Sequence, residues 1–285
     1  MTDTVADHDP QHRQVLARQL RPVHPSAREP PGWFARPVGR TGIGEVIMRR
    51  RVFLRASALS AGTATGLGAL AVGAPTAAGA PAEASAHPLR VQVLMFDGVE
   101  EQDFTAPVEV LGLAGRASGG AVTATLVTTG RPGTVTCAYG TRVEVATGWS
   151  PRAADVLVVP GGGYADPAGP GVRQLIADRD FLRRLAASAV LHVGICTGTM
   201  ALSAAGLTRG RHATTHASAK ADLAAQGATV VNARVVDDGD LVTGGGITSG
   251  LDVSLWLVER FLGAQLAQRV ETVLEYERRG TVWRA

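Results

Sequence analysis

The chemistry of this chain is concentrated in Gly194-Ile195-Cys196-Thr197-Gly198, a thiol set between two glycines. An apolar run, Ala189-Val190-Leu191 and then Val193, precedes it, and an apolar, alanine-rich segment to Gly206 follows. That order predicts a strand, a tight turn and a helix, with the cysteine at the apex. Small flanking residues let the backbone turn sharply while the central residue is held in a strained conformation. The same architecture with serine is the nucleophile elbow of α/β hydrolases. A thiol at a helix N-terminus meets the positive end of the dipole and unpaired N–H groups, so a lowered pKa and a thiolate are expected. The competing reading is a buried cysteine acting as a small core residue. It accounts for the thiol but not for its two glycines.

Three other segments are expected to converge on Cys196. Glu100-Glu101-Gln102-Asp103 follows the first predicted strand, at the carboxyl end where open α/β sheets bind ligands. Asp103 is either an acid of the site or the N-cap of the next helix, a position that aspartate fills well. Pro160-Gly161-Gly162-Gly163 follows the central strand. Glycines there permit close backbone approach, and amides around Gly162 and Gly163 can face a developing anion as an oxyanion hole. A plain turn is the alternative. Thr214-Thr215-His216 supplies a histidine that either orients or deprotonates the thiol or is structural.

Positioning these groups requires strands and helices that alternate through short connections, the pattern of a parallel sheet covered on both faces. Strands are predicted at 90–96, 121–128, 156–159 and 191–195, with a short edge piece at 141–145. A hairpin is expected around Asp238-Gly239, with strands at 234–237 and 241–243. Helices are predicted at 104–117, 172–187, 199–205, 219–226, 249–262 and 266–274. The fold class is therefore α/β, a single domain from residue 87 to 285 with a mainly parallel central sheet.

Charge is unevenly spread. Residues 1–86 hold ten arginines and six acids, whereas residues 87–285 hold 18 basic and 19 acidic residues. The basic excess belongs to the N-terminal segment and gives no reason to expect nucleic-acid binding by the folded part. Two cysteines, Cys137 and Cys196, are too few for a disulfide framework. Met48-Arg49-Arg50-Arg51-Val52-Phe53-Leu54-Arg55 and the weakly hydrophobic stretch 56–78 resemble a twin-arginine export signal. Ala84-Ser85-Ala86 fits the small-x-small cleavage rule, which places the mature start near His87 in a periplasmic or extracellular protein. Glycine and proline in that stretch argue against stable membrane insertion. Residues 1–47 lack apolar periodicity and read as a disordered arm; Met48 is the expected true start, because such signals begin close to their initiator.

Taken together, the motifs resemble the ThiJ/PfpI superfamily of class I glutamine-amidotransferase-like proteins. They are Asp103-Phe104-Thr105 with Pro107 and Glu109-Val110, Pro160-Gly161-Gly162, Cys196-Thr197-Gly198, Ala204-Ala205-Gly206-Leu207 and Ala213-Thr214-Thr215-His216. Gly244-Gly245-Gly246-Ile247-Thr248 with Gly250-Leu251-Asp252, and Glu275-Tyr276, close the series. Within the superfamily the chain is most similar to the isonitrile hydratases and to the sensor domains of AraC-type regulators. The resemblance implies a flavodoxin-like three-layer sandwich with Cys196 as nucleophile and Asp103 as its acidic partner. Thr197 stands where proteolytic and chaperone-like relatives carry histidine, so a hydroxyl that binds substrate or water replaces a general base. Gly162, Gly163 and His216 are expected at the pocket. The implied reaction is hydration of an isonitrile to an N-substituted formamide without metal or organic cofactor. Alternatives are a glyoxalase- or deglycase-like thiol enzyme acting on small aldehydes, and a non-catalytic ligand- or redox-sensing dimer. A homodimer is expected, through the apolar helix at 251–262 or an edge strand. Two departures from the pattern are Ala106, where glycine is usual, and Ala217, where tryptophan is usual.

Overall fold

A computed structural model describes residues 87–285; the expected arm at 1–47 and export signal at 48–86 lie outside the described residues. Seven strands form the main sheet. In order across it they are β11 (Trp283–Arg284), β9 (Val235–Asp237), β10 (Leu241–Gly244), β6 (Leu191–Gly194), β5 (Val156–Val159), β1 (Leu89–Met95) and β2 (Val122–Thr128). Every neighbouring pair is parallel except β9 and β10, the hairpin expected around Asp238-Gly239. β5 is apolar and buried at all four positions, as a strand covered on both faces must be. The buried polar residue of β1, Gln92, has its side-chain oxygen satisfied by the Ser150 N–H at 3.2 Å.

Register, more than strand length, brings the chemistry-bearing loops together. Val93 pairs with Val158, Val159 with Gly194, and Gly194 with Thr243. Four adjacent parallel strands, β1, β5, β6 and β10, therefore release their carboxyl ends at one level.

The helices form two packed groups on the faces of the sheet. One contains α1 (Glu101–Ala117), α6 (Ser249–Leu262) and α7 (Ala264–Leu274); the other contains α2 (Val172–Ala177), α3 (Arg179–Ala186) and α4 (Gly198–Ala204). Helix α5 (Lys220–Ala225) follows a single turn of 3₁₀ helix at Ala217–Ala219. Among the described residues, no helix is long and apolar enough to cross a membrane.

Four expectations change. The first helix begins at Glu101, three residues earlier than its apolar pattern indicated. The helix expected over 172–187 is two helices, broken at Asp178, whose carboxylate accepts the N–H groups of Asp180 and Phe181 at 3.0 and 2.9 Å. That cap starts a new helix and so ends the previous one. The edge piece, β4 (Arg142–Val145), pairs with β3 (Gly133–Thr136) in a separate ribbon and not with the main sheet. Helix α6 buries Val253, Leu255, Trp256, Leu257 and Val258 within the fold, so most of the apolar surface expected to serve a dimer is already covered. The two-residue strands β7 (His212–Ala213), β8 (Thr229–Val230) and β11 were not expected.

Candidate active site

The elbow forms as its residues dictate. Cys196 has φ 56°, the left-handed region, which costs a residue with a Cβ about 1–2 kcal/mol. Three hydrogen bonds hold it there. The Ile195 N–H donates to the Val159 carbonyl at 3.0 Å and the Gly198 N–H to the Ile195 carbonyl at 2.9 Å. Thr215 Oγ1 donates to the carbonyl of Cys196 itself at 2.8 Å. Both glycines are required by close approach. A Cβ on Gly198 would lie 1.9 Å from the Val159 carbonyl oxygen, and one on Gly194 would lie 2.6 Å from Thr199 Oγ1.

Asp103 is in the first turn of α1 and is fully buried. It does not cap its helix. Its Oδ2 crosses to the end of β5 and accepts the Gly161 N–H at 2.8 Å, while the carboxyl faces the thiol of Cys196. Oδ1 has no hydrogen-bond partner among the described residues. Burial raises the carboxyl to about 7; the hydrogen bonds from Gly161 and Cys196 pull it down, and nearby Glu100 pushes it up.

The thiol departs from expectation. Burial, and then the charge on Asp103, push Cys196 up to about 12, although the N–H groups of Thr197 and Ile247 face the sulfur and lower it. Helix α4 is only seven residues long, and its N-terminus does not offset desolvation of the thiol of a residue that is 5% exposed. Near neutral pH the resting pair is thus a thiol beside a carboxylic acid on the point of ionising, not the thiolate expected from the helix dipole.

Consecutive amides at the end of β5 hold the two polar groups of the site. Gly161 serves Asp103, and the Gly162 N–H donates to Thr197 Oγ1 at 3.0 Å, which leaves the threonine hydrogen available to a ligand. The Gly162 amide is therefore not an open oxyanion donor; the amides that face the sulfur are those of Thr197 and Ile247. Gly163 has φ 61°, and a Cβ there would lie 1.9 Å from the Pro170 carbonyl oxygen, so its requirement is packing. His216 makes no hydrogen bond to Cys196 among the described residues. Its Nδ1 accepts the Ser218 N–H at 3.3 Å and lies 2.8 Å from Ser218 Oγ, so that nitrogen is engaged away from the thiol. No three His, Cys, Asp or Glu side chains among the described residues are grouped to hold a metal ion.

The characteristic sequence pattern of the DJ-1/PfpI family matches residues 89–260, a span that includes the elbow, Asp103 and the glycine run after β5. The chain belongs to the DJ-1/PfpI family. Among DJ-1/PfpI relatives it is 38% identical over 192 residues to an isonitrile hydratase of Pseudomonas putida, covering 66% of this chain and 78% of that protein. It is 30% identical over 195 residues to the Parkinson disease protein 7 homolog of Danio rerio, covering 65% and 96%. A crystal structure of a ThiJ/PfpI family protein from Pseudomonas syringae superposes with a TM-score of 0.59 at 27% identity, covering 68% of this chain and 77% of that one.

Within this DJ-1/PfpI domain, three contributors were not singled out by sequence: Gly161, Thr215 and Ile247. Each stood inside a motif already noted, but with no role of its own assigned to it. Ala106 is also explained. A Cβ at Gly250 of α6 would come within 3.2 Å of the Ala106 Cβ, so the methyl at 106 occupies space that a glycine at 250 leaves open.

Proposed function

We propose that this protein hydrates an isonitrile to an N-substituted formamide, with Cys196 as nucleophile and Asp103 as the proton carrier. The observation that carries this reading is the buried Asp103 carboxyl, held by the Gly161 amide against the Cys196 thiol and raised to about 7. An isonitrile carbon has a lone pair and is also electrophilic, so it needs a proton and a nucleophile at the same atom. A neutral acid beside a neutral thiol supplies both.

Asp103 protonates the terminal carbon as the sulfur bonds to it, and the S–H proton passes to the carboxylate just formed. The product is a thioformimidate, R–N=CH–S–Cys196. Asp103 then protonates the imine nitrogen, and a water on the Thr197 hydroxyl adds to the carbon and returns a proton to Asp103. Finally the C–S bond breaks: the sulfur takes the Asp103 proton, the hydroxyl proton returns to Asp103, and R–NH–CHO leaves. Isonitrile and water are consumed, and the acid and thiol end as they began. The Thr197 and Ile247 amides steady charge that develops on the sulfur.

Incubation with a panel of alkyl and aryl isonitriles, with methylglyoxal in parallel, tests the reading. Formamide is the expected product, and Cys196→Ala and Asp103→Asn should each abolish it. An active Cys196→Ala enzyme would remove the covalent route, and turnover of methylglyoxal alone would replace the reading with aldehyde chemistry. The reading includes a homodimer, for which sedimentation equilibrium should return twice the chain mass.

A further inference from the structure

His216 is the one polar side chain expected at the pocket that the hydration mechanism leaves without a task. The Ser218 N–H donates to its Nδ1 at 3.3 Å and Ser218 Oγ lies 2.8 Å from the same nitrogen; with Nδ1 as the acceptor, the ring hydrogen is on Nε2. The Cδ2–Nε2 edge of the ring lies along Gly246: a Cβ there would be 2.9 Å from Cδ2 and 3.5 Å from Nε2. Gly246 is followed directly by Ile247, whose amide faces the Cys196 sulfur, and Thr215, just before the histidine, bonds the Cys196 carbonyl. The ring is half-buried, and its Nε2 has no hydrogen-bond partner among the described residues. A fixed N–H donor therefore stands at the rim of the thiol site. Beside it, Ala217 is exposed and small.

We propose that His216 is a specificity-determining residue whose Nε2–H binds an acceptor oxygen on the substrate, so that the preferred isonitriles carry a neutral carbonyl group near the isocyano carbon. Neutral acceptors are favoured over carboxylates because Glu100 already places an acid beside Asp103 at the site. The proposal rests on the hydration reading and adds the substrate class to it. A site built to hydrogen-bond a substrate group discriminates against the analogue lacking it, and one neutral bond is worth about tenfold.

The test compares kcat/KM for methyl isocyanoacetate and n-butyl isonitrile in the wild-type protein, His216→Ala, His216→Gln and Gly246→Ala. The ester is intrinsically more reactive, so the quantity read is the ester-to-alkyl ratio of each variant divided by that of the wild type, which cancels intrinsic reactivity. A drop of about tenfold in the ratio is expected for His216→Ala. A smaller drop is expected for His216→Gln, which keeps an N–H donor, and a drop is also expected for Gly246→Ala, whose methyl displaces the ring edge without removing it. Equal losses on both substrates would overturn the proposal while leaving hydration intact. Turnover of neither isonitrile by the wild type would remove the hydration reading and this one with it. Nitrogen-15 spectra that place the ring proton on Nδ1 would overturn the donor assignment without touching the chemistry at Cys196.

Discussion

Replacing Asp103 with asparagine should stabilise the folded protein at alkaline pH while removing its activity. The carboxyl is fully buried and rises from 3.8 to about 7 on folding. Between those values the folded state holds a proton that the unfolded chain has released. The contribution of Asp103 to stability is thus fully present below pH 3.8 and is lost as pH climbs through 7. A shift of about three units corresponds to about 4 kcal/mol. Asparagine has the same shape, its carbonyl oxygen can accept the Gly161 N–H, and it does not titrate. The unfolding free energies of Asp103→Asn and wild type should therefore diverge by about 4 kcal/mol between pH 4 and pH 8.5, in favour of the variant at the upper end. For a domain of this size that is about 8–16 °C in Tm. Thermal and urea melts at four pH values read it directly, because carboxylates remote from Asp103 titrate alike in both proteins and cancel. A gap that stays flat across the range would refute the raised carboxyl, and with it the acid on which the mechanism depends.

Three further outcomes are expected from the same geometry. Because the acid form of Asp103 carries the proton, kcat/KM should be level below about pH 7 and fall tenfold per unit above it, and a profile that rises through neutrality would contradict the assignment. Thr197→Val keeps the shape but leaves the Gly162 amide without its acceptor; about 1–3 kcal/mol of stability should be lost along with turnover, and an unchanged melting curve would show that the amide finds another partner. Export is read by terminal sequencing: the secreted protein should begin near His87, and Arg50→Lys with Arg51→Lys should retain it inside the cell, whereas secretion of that double variant would dismiss the twin-arginine assignment.

Much of the fold was legible because the signals were local. Val156–Val159 could only be a doubly covered strand, and Asp238-Gly239 between apolar pairs could only be a hairpin. The elbow was equally visible, since two glycines around one cysteine encode a close approach that the Val159 carbonyl and Thr199 make explicit. Local pattern failed where a single capping side chain, or a run too short to show a period, decided the outcome. Asp178 sits within an unbroken helical periodicity and breaks it through its own carboxylate. Two-residue strands such as β7 and β11 have too little length to show any period. At the site, the residue types of Asp103, Thr197 and Cys196 were readable, but their electrostatics were not. Dipole reasoning gave a thiolate because it counted the helix and not the desolvation, which requires knowing what covers the sulfur. Likewise Gly162 was assigned an open amide because sequence does not reveal that Thr197 already occupies it.

The covered thiol has a bearing on where such a protein can work. Disulfide exchange and peroxide attack proceed through thiolate, and a thiol held at about 12 is ionised in roughly one molecule in 10⁵ at neutral pH. Cys137, also buried, is pushed up to about 11. Neither sulfur offers a ready target to an oxidising medium. If Cys196 acts as proposed, becoming anionic only as it bonds to substrate, the burial that raises Asp103 also keeps the resting sulfur in its less oxidisable thiol form.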